Sequence, residues 1–159
     1  MFVPTGRYHR FITKVKAPLF TAPGLRILGL DSTRRKVTGR LKPARIRQIS
    51  RLAEGDPSAL RVLVTHHPIV RRPLEGAALA LQAAEDAGVD VLLAGHHHHA
   101  HLTPGAVLGV EGPSPSHVLE PNKGFYVIRA DAETITAELW TYAGAAFTPT
   151  SSTAFPRRT

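Results

Sequence analysis

The sequence predicts an α/β fold in which a parallel βαβ unit is followed by shorter antiparallel strands. Two apolar runs, Leu60–Thr65 and residues 89–94, have the length and composition of buried strands. Between them, residues 76–87 are rich in Ala and Leu and are followed by Gly88, a residue that often ends helices. A strand, a helix and a second strand in this order are typical of parallel strand pairing, and with the antiparallel strands that follow they predict a mixed sheet.

The elements on either side extend this unit. Leu25–Leu30 is predicted as a further strand because turn residues flank it on both sides. Residues 43–54 are predicted as an amphipathic helix with a basic outer face, since Pro is tolerated in a first helical turn and apolar residues follow at helical spacing. After residue 101, segments 107–110, 124–130 and 135–142 are predicted as antiparallel strands.

Length and composition limit the class of protein. The chain has 159 residues, which favours one domain, and we assign it to residues 1–147 with a polar, poorly ordered tail over 148–159. There is no cysteine, so a metal site must use nitrogen and oxygen ligands. No apolar run approaches the roughly 20 residues that span a bilayer, and the N-terminal residues lack the apolar region of a signal peptide. We therefore expect a cytoplasmic protein without a membrane partner.

The formal net charge of +8 is unevenly distributed. Residues 7–51 contain thirteen Lys or Arg and a single acidic residue, Asp31. Such a segment is usually a solvated basic surface, although it could attract phosphate-bearing partners or nucleic acid. Only 6% of residues are aromatic and they do not alternate with the basic ones, which argues against a nucleic-acid partner.

Histidines follow two of the predicted strands. His66 comes directly after the first strand of the βαβ unit, and His96 and His98 come after the second, beyond Gly95. Because the carboxyl ends of parallel strands lie at one edge of a sheet, these imidazoles can converge there. Imidazole is the commonest side-chain metal ligand, so we predict a metal site formed by His66, His96 and His98.

The neighbouring polar residues are assigned by the same reasoning. In an extended chain, residues two apart point to the same side, so His97, His99 and His101 should face away from the predicted ligands. His67 and Asp31 could line the cleft without binding the metal, and Asp31 could equally serve only to form a turn with the residues after it.

The pair of segments LVTHHP and LLAGHHHHAHL resembles the carboxyl-terminal half of calcineurin-like metallophosphoesterases, in the subgroup of cyclic-nucleotide phosphodiesterase-like proteins. The segments LRILGLDST and GRLKPARIRQISRLA resemble the region before the first of those histidines. EPNKGFYVIRADAETITAELWTYAGAAF resembles the closing strands, so the resemblance covers about residues 7–147.

The resemblance implies a partial four-layer αββα sandwich and a phosphoric mono- or diester hydrolase. In that family a dinuclear centre of divalent Fe, Mn or Zn ions presents a hydroxide that attacks phosphorus. By resemblance, His66 and His96 bind the second metal and His98 binds the first. Cyclic nucleotides, glycerophosphodiesters, nucleotides and protein phosphate all stay open as substrates.

The chain also departs from the family pattern. The Asp-x-His, Gly-Asp-x-x-Asp and Gly-Asn-His-Asp motifs, which carry the carboxylate ligands and the catalytic histidine, do not occur in it. We therefore expect at most one bound ion, no activity of the chain alone, and a complementing amino-terminal fragment as a partner. A non-catalytic protein that binds a single metal through its histidines is the alternative.

Overall fold

The computed structural model describes residues 15, 17–33, 39–70, 74–115 and 123–157. Two sheets and two short helical segments form from these residues. The strands are β1 Leu19–Ala22, β2 Leu25–Leu30, β3 Leu60–Thr65, β4 Val91–Ala94, β5 His101–Thr103, β6 Leu108–Glu111, β7 Gly124–Ala130, β8 Thr134–Tyr142 and β9 Phe147–Pro156. The helices are α1 Pro43–Ile46, continued by a 3-10 helix over Arg47–Leu52, and α2 Ala77–Asp86.

The larger sheet has six strands in the order β1-β2-β3-β4-β6-β5. Its four central strands, β2, β3, β4 and β6, run parallel, and the outer strands β1 and β5 are antiparallel to their neighbours. The smaller sheet is antiparallel, in the order β7-β8-β9. The predicted mixed sheet with a βαβ unit is confirmed, and the carboxyl ends of β3, β4 and β6 share one edge.

The core lies on both faces of the six-stranded sheet because side chains alternate along each strand. Leu63 and Leu92 face the helices, where they pack with residues such as Ile49 and Ala84. The alternate positions face the smaller sheet and form a second cluster, which comprises Val62, Val91, Leu108, Val110 and Ile135. The described residues therefore stack as a helical layer and two sheets.

The predicted helix over 43–54 begins at Pro43, but only its first turn is α-helical. From Arg47 the backbone continues as a 3-10 helix. Ile46, Ile49 and Leu52 are all buried and are three residues apart. In a 3-10 helix residues at that spacing fall on one line, so this geometry points all three into the core.

Among the described residues, neither helical segment has the length and apolar character needed to span a membrane.

Two predictions for the carboxyl-terminal third are wrong. The segment predicted as an antiparallel strand over 107–110 is β6, which is parallel to β4 and antiparallel only to the short outer strand β5. All four residues of β6 are buried, as is typical of a strand inside a sheet. The predicted poorly ordered tail over 148–159 instead contributes most of β9, which pairs with β8 along its length. Its Thr residues favour strand, and its exposure explains the polar composition. Strand β5 was not predicted.

A buried ion pair joins the two sheets. The Nε of Arg157, just after β9, lies 3.1 Å from Oδ1 of Asp90, and the two side chains are only 11% and 5% exposed. The same guanidinium donates to the carbonyl oxygens of Ser58 at 2.8 Å and Asp131 at 3.0 Å. Asp90 also accepts from the backbone N–H of Arg61 at 2.8 Å. This contact connects the residue before β4 to the far sheet.

Candidate metal centre

Three imidazoles meet at the shared edge of the large sheet. His66 and His67 directly follow β3, and His96 follows β4 after Gly95. Each can offer a ring nitrogen, and these atoms all lie within 4.8 Å of one another. We call His66, His67 and His96 the strand-end histidine group. His66 is exposed, His96 is half-buried and His67 is buried, so the group is open to solvent on one side.

The spacing of two of the rings fits a bound transition metal. Nε2 of His66 and Nδ1 of His96 face each other at 3.3 Å. Two nitrogens at Zn–N distances of about 2.0–2.1 Å on a tetrahedral ion are separated by about 3.3–3.4 Å. The two rings are nearly perpendicular, at 79°. A zinc ion could therefore be placed between these nitrogens with little change in their separation.

His67 is held in place by buried polar contacts. Its Nδ1 lies 3.0 Å from the hydroxyl of Ser32, which is fully buried after β2, and that hydroxyl also accepts from the backbone N–H of His67 at 3.1 Å. The hydroxyl of Thr65 donates to the His67 carbonyl at 2.7 Å. When His67 carries its proton on Nδ1, Ser32 accepts it and Nε2 keeps a lone pair for a metal.

A glycine makes room for this ring. A Cβ at position 39 would lie 2.5 Å from both Cγ and Nδ1 of His67 and 2.8 Å from a methyl carbon of Leu74. Real side chains do not pack that closely, so any larger residue at position 39 would displace the ring. The close approach of the backbone at Gly39 is thus part of how the group is built.

Desolvation and the neighbouring imidazoles lower the pKa of two rings of the group. The pKa of His66 is lowered, first by partial desolvation of its ring and then by the nearby His67 and His98. The pKa of His96 is lowered by burial and then by His67, His66 and the adjacent histidines. Since only a neutral imidazole binds a metal, both shifts favour ligation at neutral pH.

The backbone after β4 is not extended. His96 and His98 both have positive φ, at 75° and 56°, a left-handed conformation that is uncommon for residues other than glycine. The prediction that residues two apart project to one side assumed extended backbone, and it does not describe this loop. His98 lies outside the strand-end group, although it is near enough to contribute to the lowered pKa of His66 and His96.

The other predicted site residues are placed as follows. His67, predicted to line the cleft, belongs to the strand-end group. Asp31 directly follows β2, and its carboxylate accepts from the backbone N–H of Thr33 at 2.9 Å. His101 lies in β5, opposite Glu111 of β6. Asp31 is not part of either metal-competent group found in the described residues.

The second of these groups contains a residue that sequence reasoning missed. His97, His99 and Glu111 also bring potential ligand atoms within 4.8 Å of one another. Glu111 directly follows the apolar segment 107–110, so it has the same signal that identified the histidines: a polar residue at the end of a buried strand. Ser32 was also missed as an anchor for His67, because a buried hydroxyl has no comparable signal.

The comparisons with known proteins identify the fold. No protein-family model matches the chain, and no curated protein matches it by sequence. Among solved structures, it is similar to purple acid phosphatase PPD1 of yellow lupin, with a TM-score of 0.65 and 14% identity, over 99% of this chain and 34% of that one. It is also similar to GAP50 of Plasmodium, with a TM-score of 0.61 and 14% identity, over 90% of this chain and 54% of that one. For Vps29 of Chaetomium thermophilum the TM-score is 0.50 and the identity 12%, over 99% of this chain and 66% of that one.

These neighbours have the metallophosphoesterase fold, and the mixed α/β architecture of this chain is of that class. The predicted fold class is therefore confirmed. Identities of 12–14% show the fold and not the activity. The chain spans about half or less of the length of the Plasmodium and lupin proteins.

Proposed function

We propose that this chain is a divalent-cation-binding part of a metallophosphoesterase-type domain, and that it does not hydrolyse phosphoesters by itself. The observation that carries the proposal is the strand-end histidine group at the carboxyl edge of β3 and β4, in a fold of this class. Ligand sites of open α/β sheets lie outside that edge.

His66, His67 and His96 would hold the cation, and His98 is the further candidate ligand by resemblance. The donor set of the group is made of imidazole nitrogens. Imidazole suits Zn, Cu, Fe and Ni, whereas Mg and Ca prefer oxygen ligands. We therefore propose Zn or Fe for this group, with zinc as the ion to test first, and Mn, which prefers oxygen ligands, only for a centre completed by carboxylates. When bound, such an ion would act as a Lewis acid toward a phosphoryl oxygen.

The charge of the group argues against two ions held by it alone. Three neutral imidazoles bring no negative charge, and no carboxylate belongs to this group in the described ranges. Two divalent ions about 3.5–4 Å apart repel strongly unless anionic ligands lie between them. We propose that carboxylates from a complementing segment or partner complete the centre, with a phosphoester as the substrate of the completed domain.

The alternative is a non-catalytic protein that only binds a metal. The nitrogen-only donor set favours it, because His98 as a fourth imidazole would close a four-coordinate site around a single ion. The two functions differ in what the loaded chain does with phosphate. A phosphoesterase-type site keeps a coordination position for a phosphoryl oxygen, whereas a storage or structural site is closed.

The test has a binding step and a reaction step. We expect the purified chain to bind Zn²⁺ in equilibrium dialysis, and the His66→Ala/His96→Ala variant to lose at least tenfold in zinc affinity at the strand-end histidine group. Addition of inorganic phosphate to the zinc-loaded chain should give zinc-dependent binding by calorimetry. We expect no turnover of bis-p-nitrophenyl phosphate with Zn²⁺ or Mn²⁺.

Each outcome decides one part of the proposal. Failure of the chain to bind zinc contradicts the cation site. Zinc binding without phosphate binding supports the metal-binding alternative over the phosphoesterase-type role. Turnover that disappears in His96→Ala contradicts the claim that the chain is inactive alone. His101→Ala is the matched control, since that residue lies in β5 and outside both groups.

A further inference from the structure

A second group of potential ligands lies beside the first and has a different donor set. It consists of His97, His99 and Glu111, whose ligand atoms are all within 4.8 Å of one another. We call it the loop-β6 group, because the two histidines lie in the loop after β4 and Glu111 ends β6. The family resemblance assigns nothing to any of these three residues.

The sheet register explains why the group forms. Glu111 is opposite Ala94 of the parallel strand β4 and opposite His101 of the antiparallel strand β5. The loop from 95 to 100 therefore leaves the sheet beside Glu111 and returns to it on the other side. His97 and His99 are carried over the carboxylate by this path.

The contacts within the group are specific. Nδ1 of His97 lies 2.8 Å from Oε2 of Glu111. The rings of His97 and His99 are stacked, with their centroids 5.5 Å apart at an angle of 28°. Nδ1 of His99 lies 3.1 Å from the His97 carbonyl oxygen, which can only accept, so this nitrogen carries the proton. The other nitrogen of a neutral His99 ring, Nε2, then has a lone pair for a metal.

The placement of Glu111 favours a bound cation. Its side chain is 2% exposed, so water hardly competes with a metal ion for its carboxyl oxygens. His97 is 32% exposed and His99 is exposed, so an ion can reach the carboxylate from solvent. Two imidazoles and one carboxylate are a set found in zinc enzymes and in non-haem iron sites.

We propose that the loop-β6 group is a second cation site, specific for a divalent transition metal such as Zn²⁺, Co²⁺ or Fe²⁺. Its mixed donor set of nitrogen and oxygen is unsuited to Ca²⁺, which prefers oxygen ligands throughout. Because His99 is exposed, rotation of its side chain can close the group around an ion. The two sites are neighbours, since the rings of His96 and His97 are 5.1 Å apart between centroids.

This inference does not depend on the proposed function, because it concerns different residues and predicts a stoichiometry. The probe is Zn²⁺ alone, added to the full chain, with bound metal counted after equilibrium dialysis. We expect two ions per chain for the unaltered protein, one more than is expected from the sequence alone. His99→Ala and Glu111→Gln should each lose one ion, while the His66→Ala/His96→Ala variant keeps one.

Co²⁺ provides a second readout, because its visible spectrum reports the ligand set at each site. In the His66→Ala/His96→Ala variant the remaining Co²⁺ spectrum should disappear on further substitution of Glu111 by Gln. Glu75→Gln is the matched control for loss of a carboxylate, since Glu75 pairs with Arg40 on the surface. If Glu111→Gln does not fold, His99→Ala still tests the site, because that side chain is exposed.

Three results would overturn the proposal. The first is a single bound ion in the unaltered chain that both His99→Ala and Glu111→Gln retain, which would leave His97 and Glu111 as a hydrogen-bonded pair only. The second is retention of two ions by both His99→Ala and Glu111→Gln. The third is loss of both ions in His66→Ala/His96→Ala, which would indicate one shared cluster in place of two sites.

Discussion

Replacement of Ser32 by Ala should weaken both the fold and the metal site, because one hydroxyl supports His67 in two ways. It is fully buried, accepts the backbone N–H of His67 at 3.1 Å and lies 3.0 Å from Nδ1 of the same residue. Removal of a hydrogen-bond partner from a buried polar group costs about 1–3 kcal/mol. For the two contacts together we expect the free energy of unfolding to fall by about 2–4 kcal/mol.

The effect on metal affinity is separate from the effect on stability. The contact with Ser32 orients the His67 ring and selects which nitrogen keeps its lone pair, and loss of such a supporting contact typically costs 10–100-fold in metal affinity. Stability is measured by urea unfolding in EDTA, so that no metal contributes. Zinc affinity is measured by competition with a chromophoric chelator at a temperature where the variant is folded.

Ser50→Ala is the matched control. Its hydroxyl is exposed and donates to the carbonyl of Arg47 at 3.0 Å, so its loss should change the free energy of unfolding by about 0.5 kcal/mol or less and leave zinc affinity unchanged. A Ser32→Ala variant that is destabilised as expected but binds zinc as tightly as the unaltered chain would contradict this role of Ser32. That result would mean that His67 is a structural histidine and not a ligand.

Three further predictions follow from the same structure. Gly39→Ala should lower zinc affinity at least tenfold, because the new Cβ would lie 2.5 Å from the His67 ring. Gly105→Ala is the control and should bind zinc normally, since the atom nearest to its new Cβ is 3.5 Å away. Competition with a chromophoric chelator measures the zinc affinity of both variants. Arg157→Ala should lower the free energy of unfolding by about 3–5 kcal/mol, because it leaves the buried Asp90 without its cation. Arg129→Ala should lower it by less than about 1 kcal/mol, because that arginine is 62% exposed. Equal losses of unfolding free energy for the two variants in urea would contradict this. The pKa of His66 and of His96 is lowered in the fold, so the unfolded chain takes up protons before the folded chain as the pH falls past about 6.5. The free energy of unfolding of the metal-free chain should therefore drop between about pH 7.5 and 5.5. A His66→Ala/His96→Ala variant that kept the full drop would show that these two histidines do not cause it.

Much of the fold could be predicted from local patterns. Apolar runs identified β2, β3 and β4, and the composition of residues 76–87 identified α2, because buried parallel strands and their connecting helix have strong signals. Strand β9 could not be predicted, since it is exposed along most of its length and shows no apolar alternation. The direction of β6 depends on the path of the loop before it, which has no local signal.

The site was predicted in part for a similar physical reason. Convergence of His66 and His96 follows from the parallel pairing of β3 and β4, which the sequence pattern indicates. The division of the histidine run into two groups depends on left-handed backbone at His96 and His98, and a residue type does not reveal that conformation when it is not glycine. The assignment of His98 as a ligand stays a prediction.

X-ray diffraction at the zinc absorption edge, from crystals of the zinc-loaded chain, shows whether the strand-end histidines share an ion. We expect an anomalous peak at bonding distance, about 2.0–2.1 Å, from Nε2 of His66 and Nδ1 of His96, the two atoms that face each other at 3.3 Å. A map with no metal between these rings, or with the rings turned away from each other, would contradict it.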